Sequence, residues 1–87
     1  MPPKPIRISP HARFEMGRRR IRRGEVIAVI RKPGQIVPSI KGRQIYQAKV
    51  GPSGRMLLRV VVKEDARAYH VVTAYKTSKV TRYWGTP

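Results

Sequence analysis

Two histidines, four acids, thirteen arginines and seven lysines carry most of the ionisable chemistry of this 87-residue chain. His11 and His70 stand far apart, the acids form no pattern, and cysteine is absent, so no metal constellation is legible. Gly51-Pro52-Ser53-Gly54 lacks the lysine and helix start of a phosphate-cradling loop. No local sequence singles out a nucleophilic serine. RNA cleavage needs fewer specialised parts. The substrate's own 2′-hydroxyl is the nucleophile, so the protein must hold the phosphate, neutralise its developing charge and move two protons. Arg and Lys do the first two tasks, and His, Tyr or Glu the third.

Among these groups His11 is the leading proton-transfer candidate, although a histidine near a helix start is more commonly structural. His70, mid-strand, ranks below it. Arg59 stands between Leu58 and Val60, which sets it on a strand rather than in a solvated tail. Tyr83 and Trp84 could stack on bases, worth about 1–3 kcal/mol each, or cap the edge of a small core. Arg18-Arg19-Arg20 and Arg22-Arg23 read as phosphate contacts without sequence readout. Arg13, Lys41, Arg43 and Arg82 join them as RNA-binding candidates.

The charge balance says why a polyanion is expected. Twenty Lys and Arg face four Asp and Glu, a net charge of +16. Such an excess opposes compaction by self-repulsion, and a surface built only for solubility would mix its charges. Arginine predominates, the side chain suited to forked contact with phosphate and to stacking on bases. No apolar run approaches the roughly 18 residues of a spanning helix. Met1-Pro2-Pro3-Lys4-Pro5 lacks the apolar stretch of a secretory signal, so the expected location is the cytoplasm.

The elements that must position these residues follow from periodicity. Residues 1–8 are expected to be a flexible lead and 9–87 a single domain. Ser9-Pro10 reads as an N-cap with proline in the first turn. The helix it starts carries Ala12 and Met16 on one face, and Gly17 weakens it by about 1 kcal/mol relative to Ala. Gly24 to Lys32 places Val26, Val29 and Ile30 at helical spacing, and Pro33-Gly34 ends it. Strands are expected at about 35–40, 43–50, 55–63 and 68–76, joined at Lys41-Gly42, Gly51–Gly54 and Glu64-Asp65. In the third, Met56, Leu58, Val60 and Val62 alternate with Arg55, Arg59 and Lys63, which predicts helices over one side and an open basic side. In the fourth, either Tyr69, Val71, Thr73 and Tyr75 or the residues between them could face the core.

Ser9-Pro10-His11-Ala12-Arg13 through Met16 and Arg19 or Arg20 to Ile21, then Val26 and Pro33, resembles the opening of a small bacterial uncharacterised-domain family. Leu58-Arg59-Val60-Val61-Val62 and Thr73-Ala74-Tyr75-Lys76-Thr77-Ser78-Lys79, closing at Tyr83, are similar to its second half. That family in turn resembles the BrnT and RelE toxins, which cleave RNA without a metal and are commonly neutralised by an antitoxin. The resemblance implies an α+β fold with two N-terminal helices packed on one face of a four-stranded antiparallel sheet. It also implies a shared cleft holding His11, Arg59, Thr73 and Tyr83, with Lys76 and Lys79. Arg22-Arg23 stands where the family's second helix usually begins with Ser or Thr, so that helix must start on other groups.

The expectation is an RNA-binding protein and metal-independent endoribonuclease, toxin-like, needing no cofactor. Arg59, Lys76 and Lys79 would hold the phosphate, His11 and Tyr83 would move protons, and Thr73 would position an oxygen or one of those side chains. Ribosome association and an acidic antitoxin are the expected partners. A non-catalytic nucleic-acid-binding module, or a basic protein held by an acidic partner, uses the same surface without making product.

Overall fold

The computed structural model describes residues 4–85. The element order is β1 (Ile6–Ile8), α1 (Pro10–Arg18), α2 (Arg23–Arg31), β2 (Gln35–Pro38), β3 (Gln44–Val50), β4 (Met56–Glu64), β5 (Tyr69–Thr77) and α3 (Val80–Tyr83). The sheet has five strands in the order β1-β5-β4-β3-β2.

This corrects the expected architecture of two N-terminal helices on a four-stranded antiparallel sheet. The helices follow a first strand, and the sheet is mixed, because β1 pairs parallel with β5 through Ile6–Tyr69, Arg7–His70 and Ile8–Val71. Three residues carry too little alternation to read as a strand, and every partner of β1 lies about sixty positions downstream. Tyr69 N–H also donates to the Pro5 carbonyl at 3.0 Å, which extends the pairing into the proline-rich lead. Residues 1–3 of that lead lie outside the described residues.

Local signals explain the helices. Ser9 accepts from Ala12 N–H at 3.0 Å, and Pro10 occupies a position where no N–H is needed. The end of α1 is a Schellman turn: Ile21 N–H reaches the Met16 carbonyl at 2.9 Å and Arg20 N–H the Gly17 carbonyl at 3.2 Å. Arg20 takes the left-handed position, with φ of 55°. α2 begins at Arg22 without a hydroxyl cap, and the Glu25 carboxylate accepts from Arg22 N–H at 3.1 Å instead.

α1 and α2 bury Ala12, Met16, Val26, Val29 and Ile30 against Tyr46, Leu58, Val60, Val62, Val71 and Ala74. Each fully buried Val or Leu here contributes roughly 1.5–3 kcal/mol. The register shifts opposite Val61 and Val62, where β5 holds one extra residue. That bulge is why neither alternating set of β5 faces the core throughout: Val71 and Ala74 both pack beneath the helices, while Thr73 and Tyr75 face away.

The second face of the sheet is only partly open. Arg59 and Gln47 are paired across β3 and β4, and Tyr75 across β4 and β5. α3, with Trp84 and Gly85 after it, folds back over them, and Leu57, Gln47 and Arg59 are buried.

Candidate functional site

Arg59 is the centre of this second face. Its side chain is 7% exposed, the only buried charged group among the described residues. Nε donates to Gln47 Oε1 at 2.9 Å, and Nη1 donates to the Tyr75 hydroxyl. The Tyr83 ring lies 4.1 Å from the guanidinium carbon. Gln47 is itself fixed: Nε2 donates to Gln35 Oε1 at 2.8 Å and to the Tyr83 carbonyl at 3.1 Å. Gln35 in turn exchanges two bonds with the Gly85 backbone. The C-terminal segment is therefore tied to the same polar network that orients Arg59.

Two properties of this network matter chemically. Arg59 has no carboxylate partner among the described residues, and burying an unpaired cation is costly. Nη2 has no hydrogen-bond partner among the described residues either. Because Tyr75 accepts from Arg59, its own hydroxyl proton is free for another acceptor.

The four acids are all engaged elsewhere. Glu15 sits 3.3 Å from Arg18 and 3.2 Å from Arg19. Glu25 pairs with Lys76 at 2.8 Å, and that hydrogen bond holds its carboxyl below the usual range. Glu64 is held down first by Lys4, then by the Tyr46 hydroxyl. Burial of the Tyr46 hydroxyl, and then its bond to that carboxylate, push Tyr46 up to about 12. Asp65 is lowered to about 2, chiefly by the N–H groups of Arg67 and Ala68 and then by His70.

The expected cleft is divided by the fold. Arg59 and Tyr83 come together, and Thr73 shares their face, where its hydroxyl accepts from Arg19 Nη1 at 3.2 Å. Lys76 does not join them; it points to the helix side and Glu25. His11 lies on α1, its side chain 72% exposed and 4.0 Å from Glu15. Lys79 is exposed at the start of α3, and Arg82 stacks on Tyr83 at 5.4 Å. Arg13, Arg18, Arg19, Arg20, Arg22 and Arg23 are exposed on the helical layer, Lys41 is exposed in the β2–β3 turn, and Arg43 beside it is half-buried. Arg59 is roofed by Tyr83, and the cavities lined by Lys4 and Glu64, by Val29 and Val50, and by Ile8 and Met16 lie away from it. Trp84 packs at the sheet edge, close enough that a Cβ on Gly34 would come within 2.6 Å of its ring, and Lys49 lies 4.6 Å above it.

Sequence reasoning missed Gln47, Gln35 and Tyr75. Tyr75 shares a face with Thr73 on β5, but only the bulge beside Val61 and Val62 sets it opposite Arg59; an unshifted hairpin would have paired Arg59 with Ala74. Nothing in the local sequence marks Gln47 or Gln35. Among the described residues no three His, Asp or Glu side chains converge as metal ligands, and no helix is long and apolar enough to cross a membrane.

The chain belongs to the DUF4258 family, described as a domain of unknown function, whose match spans residues 8–81. No curated protein and no solved structure matches the chain.

Proposed function

We propose that the protein binds RNA in the cytoplasm and cleaves it without a metal, in the manner of the BrnT and RelE toxins to which its family was likened above. One observation supports this reading: a buried arginine with no acid beside it among the described residues has one nitrogen without a hydrogen-bond partner there, while its other contacts are locked. A donor fixed before the ligand arrives needs no reorganisation when charge develops on a phosphate oxygen.

On this reading Arg59 Nη2 and the Tyr75 hydroxyl hold the non-bridging oxygens. The 2′-oxygen attacks phosphorus, the bond to the 5′-oxygen breaks, and a cyclic phosphate and a 5′-hydroxyl result. One proton leaves the 2′-hydroxyl and one reaches the 5′-oxygen. Tyr83, stacked on the guanidinium, supplies the proton-transfer hydroxyl, a role better placed there than at His11 on α1. Thr73 and Arg19 flank the site, and Lys79 and Arg82 extend its positive field along α3. An acidic antitoxin would answer the same uncompensated charge, and the ribosome is a substrate rich in phosphate.

The test is incubation of purified protein with structured and unstructured RNA in EDTA. The wild type should generate fragments ending in cyclic phosphate. Arg59→Gln should lower the rate by about 10²–10³, the scale of losing one preorganised donor, while His11→Ala cleaves as the wild type does. Intact RNA with the wild type rules out the catalytic claim, and equal loss in His11→Ala moves the proton transfer to α1.

A further inference from the structure

We infer that the cavity between β1, α1 and the start of α2 is a second RNA site, which takes one unpaired base with its flanking phosphates on Arg13 and Arg23. It rests on the RNA-binding reading above but not on the Arg59 cluster, which lies on the other side of the sheet. The cavity is about 280 Å³, lined by Ile8, Arg13, Met16, Gly17, Ile21 and Arg23. That is close to the lower limit of roughly 300 Å³ for small-ligand sites, which suits a single base better than a larger molecule. Its floor is apolar and its rim carries two guanidiniums, the combination that stacks a base and holds phosphate. Neither arginine has a carboxylate partner among the described residues, because nearby Glu15 is committed to Arg18 and Arg19.

Two residues at this corner oppose their local conformational preference. Gly17 lies within α1, where glycine weakens a helix, yet a Cβ there would meet nothing within 4 Å. No packing demand explains it; what its missing side chain leaves is open space along the cavity. Three residues on, Arg20 occupies the left-handed position of the Schellman turn, where glycine is the unstrained choice. The glycine leaves the cavity unfilled at that point, and the left-handed arginine adds a cation at the end of α1. Arg13 and Gly17, four residues apart, share one face of α1 and both line the cavity, so space and charge lie together. Phe14, three residues before Gly17 and 64% exposed, offers a ring to the neighbouring base.

Binding of a labelled, 2′-O-methylated oligouridylate, and of an abasic strand of equal length, tests this by fluorescence anisotropy at fixed salt. Gly17→Leu fills the cavity without opposing the helix. It should melt no lower than the wild type, bind oligouridylate about tenfold more weakly and bind the abasic strand unchanged. Arg13→Gln/Arg23→Gln should lose more affinity than Lys32→Gln/Arg67→Gln, a control of equal charge change at exposed sites. Wild-type affinity in folded Gly17→Leu, equal loss in the two double variants, or competition by free uridine monophosphate as strong as by the strand would each overturn the site. Arg59→Gln separates the two readings: normal cleavage by it, with Gly17→Leu still impaired in binding, removes the Arg59 mechanism and leaves this site standing.

Discussion

Arg59 holds its charge in a place where water is scarce, and among the described residues neutral oxygens rather than a carboxylate compensate it. Removing it orphans Gln47 Oε1, which is fully buried. Arg59→Met should therefore destabilise the protein by about 1–3 kcal/mol in urea denaturation, the cost of an unsatisfied buried acceptor. Unchanged stability would mean that the network forms without it. Gly34→Ala should displace the single tryptophan, since the new Cβ would stand 2.6 Å from the Trp84 ring. A shifted fluorescence maximum in a folded protein reads that displacement directly. The acids make a pH prediction of definite sign. Glu25, Glu64 and Asp65 are all lowered in the native state, so their stabilisation is complete above the ordinary values of 4.5 and 3.8. It is lost as pH falls through their native values, which for Asp65 means toward about 2. Thermal melts from neutral pH downward should hold steady to about pH 5 and decline below it. Tyr46 behaves oppositely: its raised value stabilises fully below 10.0 and the contribution disappears as pH rises through about 12.

At the scale of elements, the helix ends are the adjustable parts. Ser9→Ala removes the bond to Ala12 N–H and should cost about 1 kcal/mol. Arg20→Gly relieves a left-handed non-glycine and should stabilise by up to about 1–2 kcal/mol, less the glycine's extra unfolded-state entropy. α2 depends on one carboxylate for two duties, since Glu25 both caps Arg22 N–H and receives Lys76. Glu25→Gln keeps a cap acceptor and weakens the ion pair, so it should cost less than Glu25→Ala in the same melts. Strand β1 ends at Ile8, and beyond it the Ala74 carbonyl on the edge of β5 accepts from Arg19 Nη1 at 2.9 Å. Arg19 thus anchors α1 to a strand edge, which separates it from the exposed arginines around it.

Across the whole molecule, each of the four acids is bound to a named partner, and sixteen positive charges are left over. They lie on the helical layer, along the strands and in the turns, Lys41 and Arg67 among the last. Binding to single-stranded RNA should weaken linearly in log salt with a slope of about −0.7 per phosphate neutralised. If RNA occupies both proposed sites, the slope of the wild type should be steeper than that of Arg13→Gln/Arg23→Gln by more than one unit, measured by titration at several salt concentrations.

Much of this was legible in the chain because burial within one element is periodic. Val26, Val29 and Ile30 declare α2, the Ser9-Pro10 pair declares the start of α1, and Leu58, Val60 and Val62 declare the covered side of β4. The charge excess is likewise a property of composition. What tertiary structure decided is every relation between distant segments: that Ile6–Ile8 is a strand, that a bulge turns Thr73 and Tyr75 to Arg59, that Lys76 faces Glu25, and that Tyr83 roofs the arginine. Such relations depend on register and on hydrogen-bond partners tens of residues away, and a short strand or a single extra residue leaves almost no periodic trace.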